Sequence, residues 1–447
     1  MSWQEKYEPV IGLEVHVELK TQSKMFCGCV NNPFHAEKPN IYTCPVCLGM
    51  PGGLPVPNKK AIEWTVMIGL ATNCKINSFS KFDRKHYFYP DLSKGYQISQ
   101  YDMPFCHDGS VNTSLGEVRL NRIHLEEDTG KLLHTTIKGK KVSLVDFNRS
   151  GVPLVEIVTE PDIKSGAHAK EYGKKLRQLL RFLNVADCDM EQGGMRLEAN
   201  ISLRKISEKT LPNYKVEVKN INSFRFLEQA INYELERQAK LLDEGTKPTQ
   251  ETRGWDAIKN QTTSQRSKEE AADYRYFPDP DIPPVHLDEK FIQQLRSNIP
   301  TLPEALGQRW QTEYSLHPKQ IAILLEFDEA SELEWLDAVF TELKKQSLAV
   351  SQFVNDFINK KLTVSPKITA VQAVQAFTAL HAAQTIDATE LQTVIKQIIQ
   401  ENPDALKKYQ AGEQQVFGFF MGQVLRKLGK KADPQAIRQA LQTTLEA

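Results

Sequence analysis

The sequence has no apolar run that approaches the roughly 20 residues needed to span a bilayer. Its first residues, Met1–Lys6, also lack the apolar stretch of a signal peptide. An excess of charge of one sign is missing too, because 56 Lys and Arg residues balance 56 Asp and Glu residues. We therefore expect a soluble, cytoplasmic protein with no membrane partner, in which local basic patches would hold any nucleic acid.

Cysteine is scarce, with seven in 447 residues, but four of them are closely paired. One residue separates Cys27 from Cys29, and two separate Cys44 from Cys47. Without a secretory signal, this spacing favours a structural Zn²⁺ site that fastens the loop Met25–Gly53 and performs no chemistry. The alternative is a set of free or partly redox-active thiols. The isolated cysteines are expected to be structural: Cys74, Cys106 and Cys188.

The segment Val10–Leu19 alternates strictly between polar and apolar residues, which predicts a β-strand. Its polar face carries Glu14, His16 and Glu18. Such a face is costly to bury unless a cation or hydrogen-bond partners compensate it, so we interpret it as the wall of a metal site. The alternative is an edge strand whose polar face meets water.

Later segments repeat this pattern. Arg196, Glu198 and Asn200 share one face of a predicted strand, Glu217 and Lys219 share another, and a third polar strand end lies at His124–Asp128. If these strands pair in one antiparallel sheet, one face is apolar and the other carries acids, bases and an imidazole. That face would suit Mg²⁺ with nucleotide phosphates.

A loop rich in proline and aromatic residues is predicted at Gln261–Pro284. It contains Arg266 and Lys268, and then Asp273, Tyr274 and Arg275. These cations and acids suit the binding of phosphate and carboxylate groups. The alternative is a polar linker between domains.

The chain changes character near Pro300. Before it, strand patterns mix with two clear helices, one at Ser165–Leu183 with Ser165 as its N-cap and one that opens at Asn222-Ser223. After it, helices follow one another, and the predicted ones are Gln320–Phe327, Leu333–Lys345, Leu348–Lys361, Ala370–Ala383, Leu391–Glu401 and Pro434–Glu446. The predicted fold class is therefore α+β, followed by an all-helical part.

A compact basic patch lies close to the end of the chain, at Arg426, Lys427, Lys430 and Lys431. It fits a solvated helix end at least as well as it fits RNA binding.

Long blocks of this sequence, in the same order along the chain, resemble the B subunits of the aspartyl/glutamyl-tRNA(Asn/Gln) amidotransferases. The blocks that carry the resemblance are Ile11–Leu19, Cys44–Gly52, Lys81–Asp91, His124–Lys131, Ser150–Val158, Lys219–Phe224 and Asp273–Pro278. The resemblance runs nearly from end to end.

The resemblance implies a fold in three parts. Residues 1–296 would form a cradle domain that resembles glutamine synthetase, with an antiparallel sheet and the zinc loop at 25–53. Residues 297–347 would form a helical connector, and residues 348–447 a helical tail that binds tRNA.

The resemblance also implies an activity. The B subunits of this family use ATP and Mg²⁺ to phosphorylate the side-chain carboxylate of Glu on tRNA(Gln), or of Asp on tRNA(Asn). Ammonia released from glutamine by the A subunit then displaces phosphate, and a small C subunit holds the heterotrimer together. The residues are consistent with this chemistry, since a carboxylate becomes a good acyl donor only once it is activated.

Site residues follow from the resemblance in the same way. The implied catalytic residues are Glu14, His16, Lys85, Glu127, Arg196, Glu217 and Lys219. The implied Mg²⁺ ligands are Glu14, His16, Glu126, Glu127, Glu198, Glu217 and Glu251. The residues expected to bind ATP or substrate are Arg266, Lys268, Asp273, Tyr274 and Arg275.

Two other functions stay open at this point. A non-catalytic, zinc-fastened RNA-binding adaptor would need Lys and Arg on the polar face, where Glu predominates. A ligase that amidates a small free acid would have no obvious use for the long helical tail.

Overall fold

The computed structural model of the chain describes residues 2–267, 273–327, 329–381, 388–428 and 434–445, apart from the side chains of Arg266 and Ser267. One compact unit contains the residues up to Gln308 together with Leu325–Leu333, and the other contains Arg309–Leu324 and the chain from Glu334 onward. The domain boundaries at 296 and 347 stay predictions. Within the described ranges, no helix is both long enough and apolar enough to cross a membrane.

The strands are β1 (Tyr7–Glu18), β2 (Lys75–Ile76), β3 (Phe79–Ser80), β4 (Asp83–His86), β5 (Tyr96–Ser99), β6 (Cys106–Thr113), β7 (Gly116–Glu127), β8 (Lys131–Ile137), β9 (Lys140–Asp146), β10 (Pro153–Thr159), β11 (Met195–Lys205), β12 (Val216–Ile221), β13 (Glu251–Asp256), β14 (Gln261–Ser267), β15 (Phe277–Pro278) and β16 (Val285–His286).

The helices are α1 (Lys59–Ala71), α2 (Gly166–Phe182), α3 (Phe224–Asp243), α4 (Glu289–Ser297), α5 (Pro303–Tyr314), α6 (Pro318–Leu324), α7 (Ala330–Lys345), α8 (Val350–Ile358), α9 (Ala370–His381), α10 (Ala388–Glu401), α11 (Pro403–Gln410), α12 (Val416–Leu428) and α13 (Pro434–Leu445).

Within the described residues, nine strands form one sheet in the order β14-β13-β12-β11-β1-β10-β7-β6-β2. β1 lies in the middle and pairs antiparallel with β10 on one side and with β11 on the other. This arrangement confirms the prediction that the alternating segments belong to one sheet. It also excludes the alternative that β1 is an edge strand.

The sheet departs from the predicted antiparallel arrangement at β12 and β13, which run parallel. The chain leaves β12 at Ile221, forms α3, and returns to begin β13 at Glu251. Parallel neighbours require such a crossover, and α3 supplies it. The fold is therefore mixed α and β, with a mixed sheet in place of a purely antiparallel one.

A second correction concerns the segment Gln261–Pro284, for which the sequence predicts an extended loop. It begins as strand β14, which pairs antiparallel with β13. The β-branched residues Thr262 and Thr263 favour this strand. Farther along the segment, Phe277 and Pro278 pair with β4.

The core of the first unit lies between the apolar face of the sheet and the helices. Leu13, Val15 and Val17 of β1 are fully buried there. α1 packs on β6 and β7, α2 packs on α3 and β6, and α3 packs on β11 and β12. The predicted N-cap Ser165 is confirmed, because its Oγ accepts from the His168 amide at 3.1 Å. Ser223 caps α3 in the same way, since its Oγ accepts from the Phe226 amide at 3.1 Å.

The second unit is helical in the residues described, as predicted. The described ends of the helices that were predicted there differ from the predicted ends by no more than about three residues, whereas α5, α11 and α12 were not predicted; the predicted ends Ala383 and Glu446 lie outside the described residues. In its last part, Ile395 of α10, Phe420 of α12 and Leu441 of α13 share one buried apolar cluster.

A buried ion network ties α3 to β13 and β14. Glu234 of α3 is fully buried, and its carboxylate contacts Arg237 at 2.9 Å and Arg253 of β13 at 3.1 Å. Arg253 also contacts Glu251 at 2.7 Å, and the Thr262 hydroxyl of β14 donates to Glu234. Removing Arg253 would leave two buried carboxylates, Glu234 and Glu251, with Arg237 as their one remaining cation in this network.

We expect Arg253→Met to lower the free energy of unfolding by about 3–5 kcal/mol, which urea titration followed by circular dichroism would measure. The control is Lys6→Met, because the pair of Lys6 with Asp243 spans 3.0 Å with both side chains about 40% exposed. That variant should cost less than about 1 kcal/mol. Equal losses in the two variants would contradict the structural role of the network.

Candidate functional site

The polar face of β1 meets polar residues of both neighbouring strands. The register places Glu14 opposite Glu198 of β11, and His16 opposite Arg196 of β11 and Glu156 of β10. Because residues directly opposite one another share a face, acids and bases from three strands come together. The apolar core lies on the other side.

Glu14, Glu198 and Glu217 form a carboxylate cluster, in which one ligand oxygen from each lies within 4.8 Å of the others. Asn200 donates to Glu14 Oε1 at 2.8 Å, and Thr252 donates to Glu217 Oε2 at 2.7 Å. Octahedral Mg²⁺ holds oxygens at about 2.1 Å and therefore places neighbouring ligands about 3 Å apart. The all-oxygen ligand set suits Mg²⁺, and the 4.8 Å limit on the oxygen separations includes the spacing that the ion needs.

Lys219 is the cation nearest to this cluster among the side chains described. Its Nζ lies 2.9 Å from Glu198 Oε2 and 3.8 Å from Glu217 Oε1. Burial disfavours its charge, but Glu198 and Glu217 outweigh burial and raise the pKa of Lys219. Three carboxylates and one ammonium leave negative charge that a divalent cation would balance.

A second group, the imidazole cluster, consists of His16, Glu126 and Glu156 with His124 beside them. Glu156 Oε2 lies 3.4 Å from His16 Nε2 and 3.1 Å from His124 Nε2. Burial opposes the charged form of His124, yet Glu156 and Glu126 outweigh burial and raise its pKa to about 9. One nitrogen and two oxygens could ligate a cation here if His16 is neutral.

Lys85 of β4 faces the imidazole cluster. Burial lowers its pKa, but the charges of Glu126 and Glu156 outweigh burial and hold the pKa above its ordinary value. Its Nζ also lies 5.0 Å from the ring centre of Tyr274. The segment around Tyr274 is fixed to β4, because the His86 amide donates to the Tyr274 carbonyl at 2.9 Å.

Arg196 and Arg149 share a buried carboxylate, Asp128. Arg196 Nη2 lies 2.6 Å from Asp128 Oδ2, and Arg149 Nε lies 3.8 Å from the same oxygen. Burial opposes ionisation of Asp128, but Arg196 and Arg149 outweigh burial and hold its pKa below its ordinary value. Burial, and then the Asp128 charge, raise the pKa of Glu18 well above its ordinary value.

A cavity of about 780 Å³ opens beside the carboxylate cluster, and Phe34, Arg149, Arg196, Glu198 and Lys219 are among its lining residues. A smaller cavity of about 340 Å³ borders Glu14 and Asn200. The carboxylate cluster therefore contributes residues to both cavities.

The four paired cysteines come together as the spacing predicted. Their four sulfur atoms all lie within 4.8 Å of one another, and the sulfurs of Cys44 and Cys47 are 3.8 Å apart. A tetrahedral Zn²⁺ with bonds of about 2.3 Å places its sulfurs roughly 3.8 Å apart. The cluster therefore fits the metal.

Two residues expected in the site contact other partners. Glu127 pairs with Lys94 at 2.7 Å. Glu251 points to the α3 side of the sheet, where it contacts Arg253, because its neighbour Thr252 points to the Glu217 side. The assignment of Glu251 as a ligand beside Glu14 therefore does not fit this geometry.

The predicted phosphate-binding loop is only partly described. Asp273 and Arg275 are exposed, and Asp273 Oδ1 accepts from the Arg275 amide at 3.1 Å. Arg266 lies in β14 opposite Thr252. The Arg266 side chain and the whole of Lys268 lie outside the described residues.

Glu156, Arg149 and Lys94 were not predicted from the sequence, and His124 and Asp128 were placed on a polar strand end without a role of their own. A signal for Glu156 was present, since it is a lone acid in the otherwise apolar strand Leu154–Val158. Arg149 lies in an irregular segment, where no periodicity indicates which way a side chain points.

The fold is a mixed sheet whose acidic face brings carboxylates, imidazoles, lysine and arginine together, which is the kind of surface that phosphoryl-transfer enzymes use. A family model described as the GatB/GatE catalytic domain matches residues 9–293, and one described as the GatB domain matches residues 369–445.

Curated relatives agree across the whole length. The chain is 43% identical to the B subunit of the aspartyl/glutamyl-tRNA(Asn/Gln) amidotransferase of Thermodesulfovibrio yellowstonii, over 98% of each chain. The protein of the same name from Thermomicrobium roseum is 41% identical, over 99% of each chain. The chain belongs to this family of amidotransferase B subunits, the catalytic subunits of an ATP-dependent, glutamine-hydrolysing ligase.

We expect the purified protein to contain about one Zn²⁺ per chain by elemental analysis, because four sulfurs complete a tetrahedral site. Cys44→Ser should lose most of this zinc. The control is Cys74→Ser, since Cys74 is buried outside the cluster, and it should keep its zinc. Metal-free wild-type protein, purified under reducing conditions without chelator, would contradict the site.

Proposed function

We propose that the polar face of the sheet carries out the phosphorylation step of tRNA-dependent amidation. A side-chain carboxylate oxygen of Glu on tRNA(Gln), or of Asp on tRNA(Asn), attacks the γ-phosphorus of ATP, and ADP leaves. Ammonia then attacks the carbonyl carbon of the acyl phosphate, loses a proton, and inorganic phosphate leaves. The products are Gln-tRNA(Gln) or Asn-tRNA(Asn).

The observation that carries this proposal is the carboxylate cluster of Glu14, Glu198 and Glu217, with Lys219 beside it. Phosphoryl transfer needs positive charge around the transferring group and close control of the placement of donor and acceptor. Mg²⁺, when bound, would neutralise charge on the triphosphate. Lys219 and Arg196 would bind phosphate oxygens from the same face of the sheet.

The imidazole cluster supports the second half of the reaction. His16, Glu126 and Glu156 lie one step along the sheet from the carboxylate cluster, because His16 follows Glu14 on the same face of β1. We assign His16 to cation binding, Lys85 to charge stabilisation of the acyl phosphate, and the two carboxylates to the proton that ammonia loses. Glu127 would act indirectly, by holding Lys94.

The partners follow from the same proposal. Ammonia would come from an A subunit that hydrolyses glutamine, and a C subunit would complete a heterotrimer. Mischarged tRNA would be the substrate, and the helical tail would contribute to its binding. We further propose that the sheet with its helices is the glutamine-synthetase-like cradle expected from the sequence, and that the cysteine cluster holds a structural Zn²⁺.

The other two functions are less well supported. An RNA-binding adaptor would present cations on the sheet, whereas the described residues include two acidic clusters there. A ligase for small free acids shares the chemistry but leaves the second, helical unit without a task.

We expect Glu14→Gln to slow ADP formation with mischarged tRNA by at least two to three orders of magnitude, roughly the cost of losing a principal charge-stabilising group. The assay would use the assembled complex and follow ADP release. Glu208→Gln is the control, because Glu208 is exposed and away from both clusters, and its rate should match the wild type. A folded Glu14→Gln protein with nearly normal activity would contradict the cation site.

The tail generates a separate expectation. Reversing charge at Arg426, Lys427, Lys430 and Lys431 should raise KM for tRNA and flatten the salt dependence of binding, because phosphate contacts release counterions. Lys430 and Lys431 lie outside the described residues. The control is reversal at the exposed Lys319 and Lys361. Equal tRNA affinity for both variants at one salt concentration would show that the basic patch has another task.

A further inference from the structure

Lys24 is a fully buried lysine that directly precedes the cysteine loop, Met25–Gly53. Its Nζ donates to the Tyr42 carbonyl at 2.7 Å and to the Phe147 carbonyl at 3.2 Å. Within the described residues, no carboxylate lies within 4.0 Å of this ammonium. Carbonyl groups carry no net charge, and a buried cation is costly unless an anion compensates it. The charge of Lys24 therefore requires an anion other than an Asp or Glu side chain.

The cysteine cluster supplies that anion when it holds a metal, because four thiolates around one Zn²⁺ leave an excess of negative charge. The Lys24 amide donates to the Cys29 carbonyl at 3.0 Å. The Tyr42 carbonyl that Lys24 Nζ contacts lies two residues before Cys44. The charge of Lys24 also acts on Cys47. Lys24 is thus connected to both cysteine pairs of the cluster.

Gly151 shows how closely the Lys24 side chain approaches the cluster. A Cβ atom built at Gly151 would lie 3.5 Å from Cys47 Cβ and 3.7 Å from Lys24 Cδ. The two side chains therefore border the same small space. Charges that lie this close together interact strongly in a buried environment, where little water screens them.

The segment 147–151 is fastened to the cysteine loop at both of its ends. Near the start, Lys24 Nζ donates to the Phe147 carbonyl. Near the end, the Ser150 hydroxyl donates to the Cys47 carbonyl at 2.9 Å, and Cys47 is itself buried. A change in the geometry of the cysteine cluster would therefore reach this segment through direct contacts.

Arg149 lies in the middle of that segment and lines the larger cavity. It donates from Nε to the Thr129 carbonyl at 3.0 Å and from Nη2 to the Gly130 carbonyl at 2.8 Å. Its Nε also lies 3.8 Å from Asp128 Oδ2. These contacts persist only while the backbone that carries Arg149 stays in place, because supporting contacts fix the geometry of a site residue.

We propose that Lys24 is a positioning residue that couples the metal of the cysteine cluster to Arg149. Its ammonium compensates the negative charge of the metal-bound cysteines and, at the same time, holds the Phe147 carbonyl. Binding of Zn²⁺ and ordering of the segment 147–151 then stabilise each other, because such a coupling acts equally in both directions. A metal site that is closed to substrate thereby influences the larger cavity. This role rests on the proposed zinc site and is independent of the phosphorylation step.

The zinc affinity of the full chain tests the charge of Lys24, and competition with a colorimetric chelator would measure it. Lys24→Met should bind Zn²⁺ roughly ten- to a hundredfold more weakly, the usual effect of losing an outer partner of a metal site. Lys24→Arg keeps the charge and should bind more tightly than Lys24→Met. The matched control is Lys38→Met, because Lys38 is exposed in the same loop, and its affinity should match the wild type.

Hydrogen exchange of the wild type tests the coupling without any substitution. Removing zinc with a chelator should speed amide exchange in the segment 147–151 by roughly five- to a hundredfold, while α2 of the same unit should exchange as before. In Lys24→Met, exchange of this segment should be fast even with zinc bound and should respond less to zinc removal. If Lys24→Met proves unfolded by circular dichroism, Lys24→Arg and the wild-type exchange carry the test.

Three results would overturn the coupling while zinc still binds. One is a folded Lys24→Met protein with wild-type zinc affinity. Another is equal weakening by Lys38→Met, which would show a general effect of charge. The third is exchange in the segment 147–151 that zinc removal accelerates no more than exchange in α2. Protein without zinc would overturn the zinc site and the coupling together, whereas the expected pattern in a complex that does not amidate would refute only the proposed function.

Discussion

Alternation along a single central strand is the constraint on which the rest of the structure depends. β1 sends Leu13, Val15 and Val17 into the core and Glu14 and His16 to the opposite face. Because β1 pairs on both sides, its register also decides which residues of β10 and β11 meet those side chains. A shift of one residue would exchange the two faces and destroy the core and the site together.

Crowded acids make the site dependent on cations. The carboxylate cluster holds one lysine close by, whereas the imidazole cluster has two histidines and Lys85 near its two glutamates. The two groups therefore differ in charge although they share one face of the sheet. This difference suits a reaction in which a polyphosphate must be neutralised at one place and a proton removed at another.

The sequence allowed part of this arrangement to be predicted. Side chains alternate between the two faces of a strand, so the sequence predicts which face each one lies on. The polar face could therefore be predicted for Glu14, His16, Glu198 and Lys219. The face on which Glu251 lies could not be predicted in this way. It depends on how β13 joins the sheet after α3, and no local sequence pattern indicates that crossover. Strand β14 was missed because prolines and aromatics beyond it dominated the composition of the segment. Arg149 lies in an irregular connection, where only the tertiary fold determines its direction.

The position of β1 in the sheet has a consequence for folding during synthesis on the ribosome. The middle strand of the sheet precedes its other described strands in chain order, and its two partners begin only at Pro153 and Met195. At ordinary elongation rates of about 5–20 residues per second, β1 waits roughly 10 to 40 seconds for β11 to be synthesised. During that time both of its edges are open to pairing with other nascent chains. The yield of native protein in a cell therefore depends on what shields this one strand until translation has passed β11.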